Sequence, residues 1–358
     1  MTILRAEQSR AEQSRAEQSR AEQSRDYNID LLKIIACIAV VGLHTLQRDI
    51  SVLNSTLYYL CGFAVPVFFA SSGAFLMNRK SVSWRYVIRK IYLILRVVVS
   101  WNILIVCAQL ILNVVTHSAL EFTVLTIPEE IIKSLVQKGT MWHFWYFGAL
   151  IILYLILPFL HKTGLKNRLT LIVVAGAVAV VLQISSIISG VPIQKNVIQT
   201  FRFWTWILYF VGGGIAYNYF NTQKHDSFKY PVLLAVITVF ILVYQNLMGR
   251  FVITETSGVL HAEYFYDSVF TMVWVFLVFG RVKMAVLNEK QKNTVAKIAP
   301  LTMGIYIIHP LIIKACNHFF TVDTFLMSII LFGVILCSSA IASWAISKIP
   351  GVRCLIKL

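Results

Sequence analysis

The chain has 358 residues, of which 58% are hydrophobic and only 13% charged, with a formal net charge of +16. Soluble domains carry about a quarter charged residues, so one aqueous domain with a single core is excluded, whereas a lipid-solvated bundle has no need to hide this apolar surface. The positive charge falls in short connections between apolar runs, with no DNA- or RNA-binding motif, which excludes a nucleic-acid partner and gives the charge a topological role.

The first residues carry four tandem copies of AEQSR, Ala6 to Arg25. The tract has helix formers but no apolar stripe, and a period of five does not fit a heptad. Residues 1–28 are therefore expected to be a cytoplasmic extension dispensable for chemistry, and 29–358 the membrane domain. A polar opening without a small-residue cleavage site predicts no cleavable signal peptide.

Ten apolar runs follow, at about 29–46, 56–77, 91–115, 144–161, 169–188, 204–220, 230–247, 265–280, 298–315 and 325–346. Most reach the ~20 residues that a spanning helix needs. The expected fold is an all-α polytopic bundle of about ten transmembrane helices. With the N-terminus inside, the cytoplasmic connections hold 23 Lys and Arg and the opposite ones 6, a bias that places both termini in the cytoplasm. In the 116–143 connection, Pro128, Glu129 and Glu130 read as the first turn of a short external helix. The six cysteines form no CxxC pair and four lie inside apolar runs, so neither a disulfide framework nor a metal site is expected.

Ionisable groups inside spans are functional candidates by default. The first run, DLLKIIACIAVVGLHT, holds Asp30, Lys33 and His44. At ~100° per residue, the eleven steps from Lys33 to His44 return to within about 20° of one face, and His44 lies about 16 Å deeper. Asp30 falls on the same stripe. A cation near one mouth and an imidazole deep on the same face suit a long ligand with an anionic head and a reactive tail; the alternative is an interfacial ion pair and a satisfied interior histidine. His143, between aromatic residues ahead of the fourth run, suits an aromatic belt as well as acceptor binding. His309, followed by Pro310 in the ninth run, suits a site or a helix kink. Ser72-Gly73 and Gly212-Gly213-Gly214 read as close-packing elements, because no G-x-S-x-G elbow surrounds the serine and the triplet sits within an apolar run.

Several segments together resemble the acyltransferase-3 family of membrane acyltransferases. The first run matches the family's opening helix, a basic residue, ten others and then His, with Lys33 and His44 in those places. Pro66–Leu76 (PVFFASSGAFL) is similar to the FFxxSGF segment, and Arg85, Arg89 and Lys90 stand where the family has a basic cytoplasmic cluster. Trp142–Pro158 (WHFWYFGALIILYLILP), Tyr209–Tyr217 (YFVGGGIAY) and Met303–Leu311 (MGIYIIHPL) resemble later family helices, in order. Lysine at 33 departs from the usual arginine; it offers phosphate a point charge without the bidentate fork.

The resemblance implies an O-acetyltransferase of the bacterial inner membrane, nearest the compact subgroup that includes enterobacterial common antigen and O-antigen O-acetyltransferases. It implies acetyl-CoA as donor and, as acceptor, a sugar hydroxyl of a surface polysaccharide or its lipid-linked precursor. His44 would be the general base, an acyl-histidine being the alternative, with Asp30, His143 and His309 in support. Lys33, Arg85, Arg89 and Lys90 would attract the CoA phosphates. Two other classes stay open from the residues alone, a transporter or flippase for an envelope intermediate and a structural subunit of an envelope-synthesis complex.

Overall fold

The computed structural model describes residues 25–116, 123–223, 229–254 and 258–357. Among these the structure is helical, with no β-strand. In chain order the helices are α1 (Tyr27–Thr45), α2 (Val52–Leu60), α3 (Ala64–Leu76), α4 (Trp84–Thr116), α5 (Ile127–Leu135), α6 (Trp145–Lys162), α7 (Leu165–Ser189), α8 (Phe203–Thr222), α9 (Lys229–Leu247), α10 (Val269–Lys283), α11 (Glu289–Ile298), α12 (Thr302–Phe319) and α13 (Phe325–Lys348).

Every apolar run forms helix, and eight stretches of the described residues are long and apolar enough to cross a membrane. The other two expected spans are α8 and α10. Helix α8 has 20 residues, but its glycines and aromatic residues lower its hydropathy. It lies in the middle of the bundle, with Trp206, Tyr209, Phe210 and Val211 fully buried, so it does not need the aliphatic surface that lipid demands. Helix α10 has 15 residues and spans only about 22 Å. The chain leading into it, from Val259 to Ser268, is largely buried in protein. By contrast α7, α9 and α13 present Val173, Val181, Val236, Val239, Ile330 and Ile341 outward, the surface of helices solvated by lipid. The protein is an all-α, multi-pass membrane protein.

Local chemistry starts the elements. The Asp26 carboxylate accepts the backbone N–H groups of Asn28 and Ile29 at the head of α1. Pro128 occupies the first turn of the short helix α5, with Glu129 and Glu130 beside it, as the sequence predicts. Asn288 and Gln291 form a capping box at the head of α11.

The frame of the bundle is the crossing of α3 and α8, which meet backbone to backbone. A Cβ on Gly73 would overlap the Phe210 carbonyl, and one on Gly213 would overlap the backbone of Ala70. Asn78 Nδ2 donates to Gly214 O at 3.0 Å, and the rings of Phe69 and Trp206 stack at 4.5 Å. Gly73 and the glycine triplet thus serve close packing, whereas the Ser72 hydroxyl lies 3.4 Å from that of Tyr146.

The repeat tract lies outside the described residues except for Arg25. Residues 25–28 are already tied to the bundle. Lys283 Nζ lies 2.6 Å from Asp26 Oδ2, and Asn28 Nδ2 donates to the carbonyls of Lys283 and Ala285.

Candidate functional site

A single cavity of about 940 Å³ follows α1 from one end to the other. Asp30 and Lys33 line it near the start of the helix, Val40 and His44 near its end, and Arg48 just beyond. The helical period thus places Lys33 and His44 on one wall of one space, as their spacing predicts.

At the Lys33 end, Lys33 Nζ sits 3.5 Å from Asp30 Oδ1 and 4.5 Å above the Phe75 ring. Asp30 Oδ2 accepts from Arg25 Nε at 2.6 Å. Asp30 is therefore paired with the mouth cations. A third cation comes from the other terminus of the chain. The Val352–Ile356 turn is anchored by Trp101 Nε1 donating to Leu355 O at 2.9 Å. Ile356 packs under Gly304, and Lys357 reaches the cavity wall. Three cations against one carboxylate give this end an anion-attracting potential.

His44 stands among aromatic rings in the middle of the cavity. Its ring stacks on His309 at 5.3 Å and meets Trp142 edge-on at 5.2 Å. His143 lies 6.0 Å from His309 and 5.5 Å from the Tyr306 ring, and the Tyr306 hydroxyl donates to the His143 carbonyl. The His309 Nδ1 lies 3.0 Å from the Ile305 carbonyl, which makes Nδ1 the donor and leaves Nε2 as the basic nitrogen, without a hydrogen-bond partner among the described residues. Among the described residues no carboxylate contacts the three imidazoles; Asp30 and Glu263, which line the cavity, belong to its opposite ends.

At the far end, Arg48 Nε donates to Val259 O at 2.5 Å and Arg48 Nη2 lies 2.9 Å from His261 Nε2. Burial and the neighbouring Arg48 guanidinium hold the His261 imidazole down at about 4, so it is neutral at physiological pH. Gln137, Gln199, Glu263 and Tyr264 complete this end.

The structure brings together His44, Lys33, Asp30 and His143 in the cavity wall, with His309 fully buried directly behind His44. His143 is not at a lipid-facing aromatic belt; it is buried in the histidine cluster. Arg85, Arg89 and Lys90, on the first turns of α4, do not line the cavity. Arg85 and Arg89 are exposed, whereas Lys90 is half-buried and within electrostatic reach of Lys33. Sequence reasoning passed over Arg25, Lys357 and the whole Gln137–Glu263 end. Arg25 was hidden by belonging to a repeat with no apolar face. Lys357 carried no signal, because only tertiary packing returns the last turn to the cavity.

The acyltransferase-3 family model, described as an acyltransferase domain, matches residues 26–348. No curated protein and no solved structure matches the chain.

Proposed function

The chain belongs to the acyltransferase-3 family, and from that premise we propose that this membrane acyltransferase is an O-acetyltransferase of the bacterial inner membrane. The donor is acetyl-CoA, and the acceptor is a sugar hydroxyl of a cell-surface polysaccharide or its lipid-linked precursor, as in the enterobacterial common antigen and O-antigen subgroup. The observation that carries this reading is the one cavity joining a cationic mouth at Lys33 to the imidazole of His44. The ~16 Å of helix between them is of the order of an extended pantetheine arm.

In this reading Lys33, with Arg25 and Lys357 beside it, holds the CoA phosphates. Arg85, Arg89 and Lys90 act from outside the wall, raising the local concentration of the anionic donor. The acceptor enters from the Arg48 end. Neutral His44 takes the proton of the sugar hydroxyl as that oxygen attacks the thioester carbonyl. The tetrahedral intermediate collapses with cleavage of the C–S bond, and the departing thiolate recovers the proton from the imidazolium. The His309 stack and the Trp142 edge restrict the His44 ring, and His143, its backbone held by Tyr306, closes the other side of the cluster. Orientation of this kind contributes through the entropy of a pre-aligned attack.

Both termini are assigned to the cytoplasm, so that the Lys33 mouth faces the acetyl-CoA pool. Reporter fusions at Lys80, Lys166, Lys290 and Leu358 should report cytoplasm, and those at Ser51, Lys133 and Asn196 the opposite side. The function itself is tested by NMR of surface polysaccharide from cells with and without the gene, before and after mild alkali. Alkali-labile acetyl esters should disappear with the gene and return with the wild-type chain but not with His44→Ala. Unchanged esters in the deletion strain would overturn the reading.

A further inference from the structure

The far end of the cavity is built from groups that no step above uses. Helix α5 ends in a Schellman turn, in which Lys138 N donates to Lys133 O at 2.8 Å. The residue at the left-handed position of that turn is Gln137, with φ 62°, the one non-glycine residue at positive φ among the described residues. Glycine is usual there, because a Cβ in this conformation costs roughly 1 kcal/mol or more. A glutamine at such a position points to a use for its side chain. That side chain lines the cavity, and its Oε1 accepts from Gln199 N at 2.9 Å.

Gln199, almost fully buried, continues the line. Its Nε2 donates to Glu263 Oε2, while its own Oε1 has no hydrogen-bond partner among the described residues. Glu263 also faces Arg202 Nη2 at 3.6 Å, and the Arg202 guanidinium lies 5.1 Å from the centre of the Tyr264 ring. Two amides, a carboxylate and a tyrosine ring therefore border one polar mouth. Carboxylates and amides accept and donate to vicinal hydroxyls, and an aromatic face covers the apolar side of a pyranose ring. Glu263 is paired with Arg202, and Arg48 lies 3.9 Å from Asp49 and is engaged with Val259 and His261, so each charge at this end has a partner among the described residues and no excess favours a phosphate or a uronic acid.

We propose that Gln137, Gln199, Glu263 and Tyr264 form the acceptor subsite, and that it selects an uncharged pyranose through its hydroxyls. This rests on the acyltransferase reading for its place in the reaction, but the binding itself does not require the donor.

The test is saturation-transfer NMR on the purified full chain in nanodiscs, with methyl glucoside, galactoside and N-acetylglucosaminide, their 6-phosphates and their single deoxy analogues. At least one neutral glycoside should bind in preference to its 6-phosphate. Removing one specific hydroxyl should weaken it roughly tenfold to hundredfold, the range for a hydrogen bond to a charged group. Glu263→Gln should weaken the parent glycoside by a similar factor and the deoxy analogue hardly further, a coupling that a brace between loops would not produce. Gln137→Asn offers a second route: asparagine tolerates the left-handed turn, so the fold should persist while the shortened amide loses the sugar. Additive losses at every hydroxyl, a preference for the 6-phosphates, or no glycoside binding would overturn the inference. Acetyl-CoA binding, measured in the same samples by calorimetry, keeps the two questions apart: sugar binding without donor binding would overturn the donor half of the proposed function and leave this subsite standing.

Discussion

The two ends of the cavity differ in charge, in origin and in how they are built. The Lys33 end gathers Arg25, Lys33 and Lys357 against Asp30, from the first helix and the last turn of the chain. The Arg48 end pairs Arg48 with Asp49 and Glu263 with Arg202, and draws its amides from the connections before α6 and α8. A net field recognises a polyanion over a distance and tolerates changes in shape. A neutral end must recognise by directed hydrogen bonds, and each donor or acceptor left unmet there carries its own penalty. One space thus offers charge recognition at one mouth and shape recognition at the other, with His44 between.

That contrast can be broken outright. Gly73→Ala drives a methyl group into the Phe210 carbonyl at the α3–α8 crossing, where both partners are backbone. Overpacking typically costs about 1–3 kcal/mol, and more where nothing can rotate away. The variant should lose most of its folded yield by size-exclusion chromatography in detergent, and both binding activities with it.

The next largest effect separates chemistry from binding. A general base contributes roughly 10²–10⁴-fold to rate. His44→Ala should therefore reduce acetyl transfer by that factor in single-turnover assays while eluting as folded protein.

Charge recognition should be screened and shape recognition should not. Raising ionic strength from 0.01 to 0.15 M shortens the Debye length from about 30 to about 8 Å. The apparent KM for acetyl-CoA should rise severalfold over that range, with the acceptor KM nearly constant. Lys357→Ala should reproduce part of this, about two- to fivefold on donor KM, the scale of one exposed charge.

A smaller effect marks the Arg48 end by pH. The folded-state pKa of His261, about 4, lies below its ordinary value of about 6.5, so the native state binds fewer protons than the unfolded state between them. Its contribution to stability is present above about pH 6.5 and is lost as pH falls toward 4. Thermal melting of His261→Gln should fall less steeply than wild type across that window; parallel slopes would show that His261 is not held neutral.

The sequence made the spans and the Lys33–His44 stripe legible for one reason each. Lipid forces long apolar runs, so every expected span appears as helix; α8 falls short of a full lipid-facing span because protein surrounds it, and α10 because it has only 15 residues. The stripe is a local consequence of helical period along α1. The meeting of His44, His143 and His309 is not local. It depends on the Trp142–Phe144 turn and α12 packing against α1, which no spacing within one segment encodes. The Arg48 end was illegible for a further reason. Gln137, Gln199 and Glu263 are ordinary polar residues of connections, and only the backbone conformation at Gln137 distinguishes it from a solvated loop residue.

The central claim is that Lys33 and His44 are two ends of one donor path with separate duties. Calorimetric binding of acetyl-CoA to wild type, Lys33→Ala, Lys33→Arg and His44→Ala in nanodiscs, paired with transfer rates on the same samples, tests it most directly. His44→Ala should keep near-wild-type donor affinity without transfer, and Lys33→Ala should bind the donor more weakly. Lys33→Arg should retain affinity, because its guanidinium keeps the charge and adds a phosphate-matching fork. Undiminished transfer by His44→Ala, or unchanged donor affinity in Lys33→Ala, would contradict it and leave the first helix a structural element.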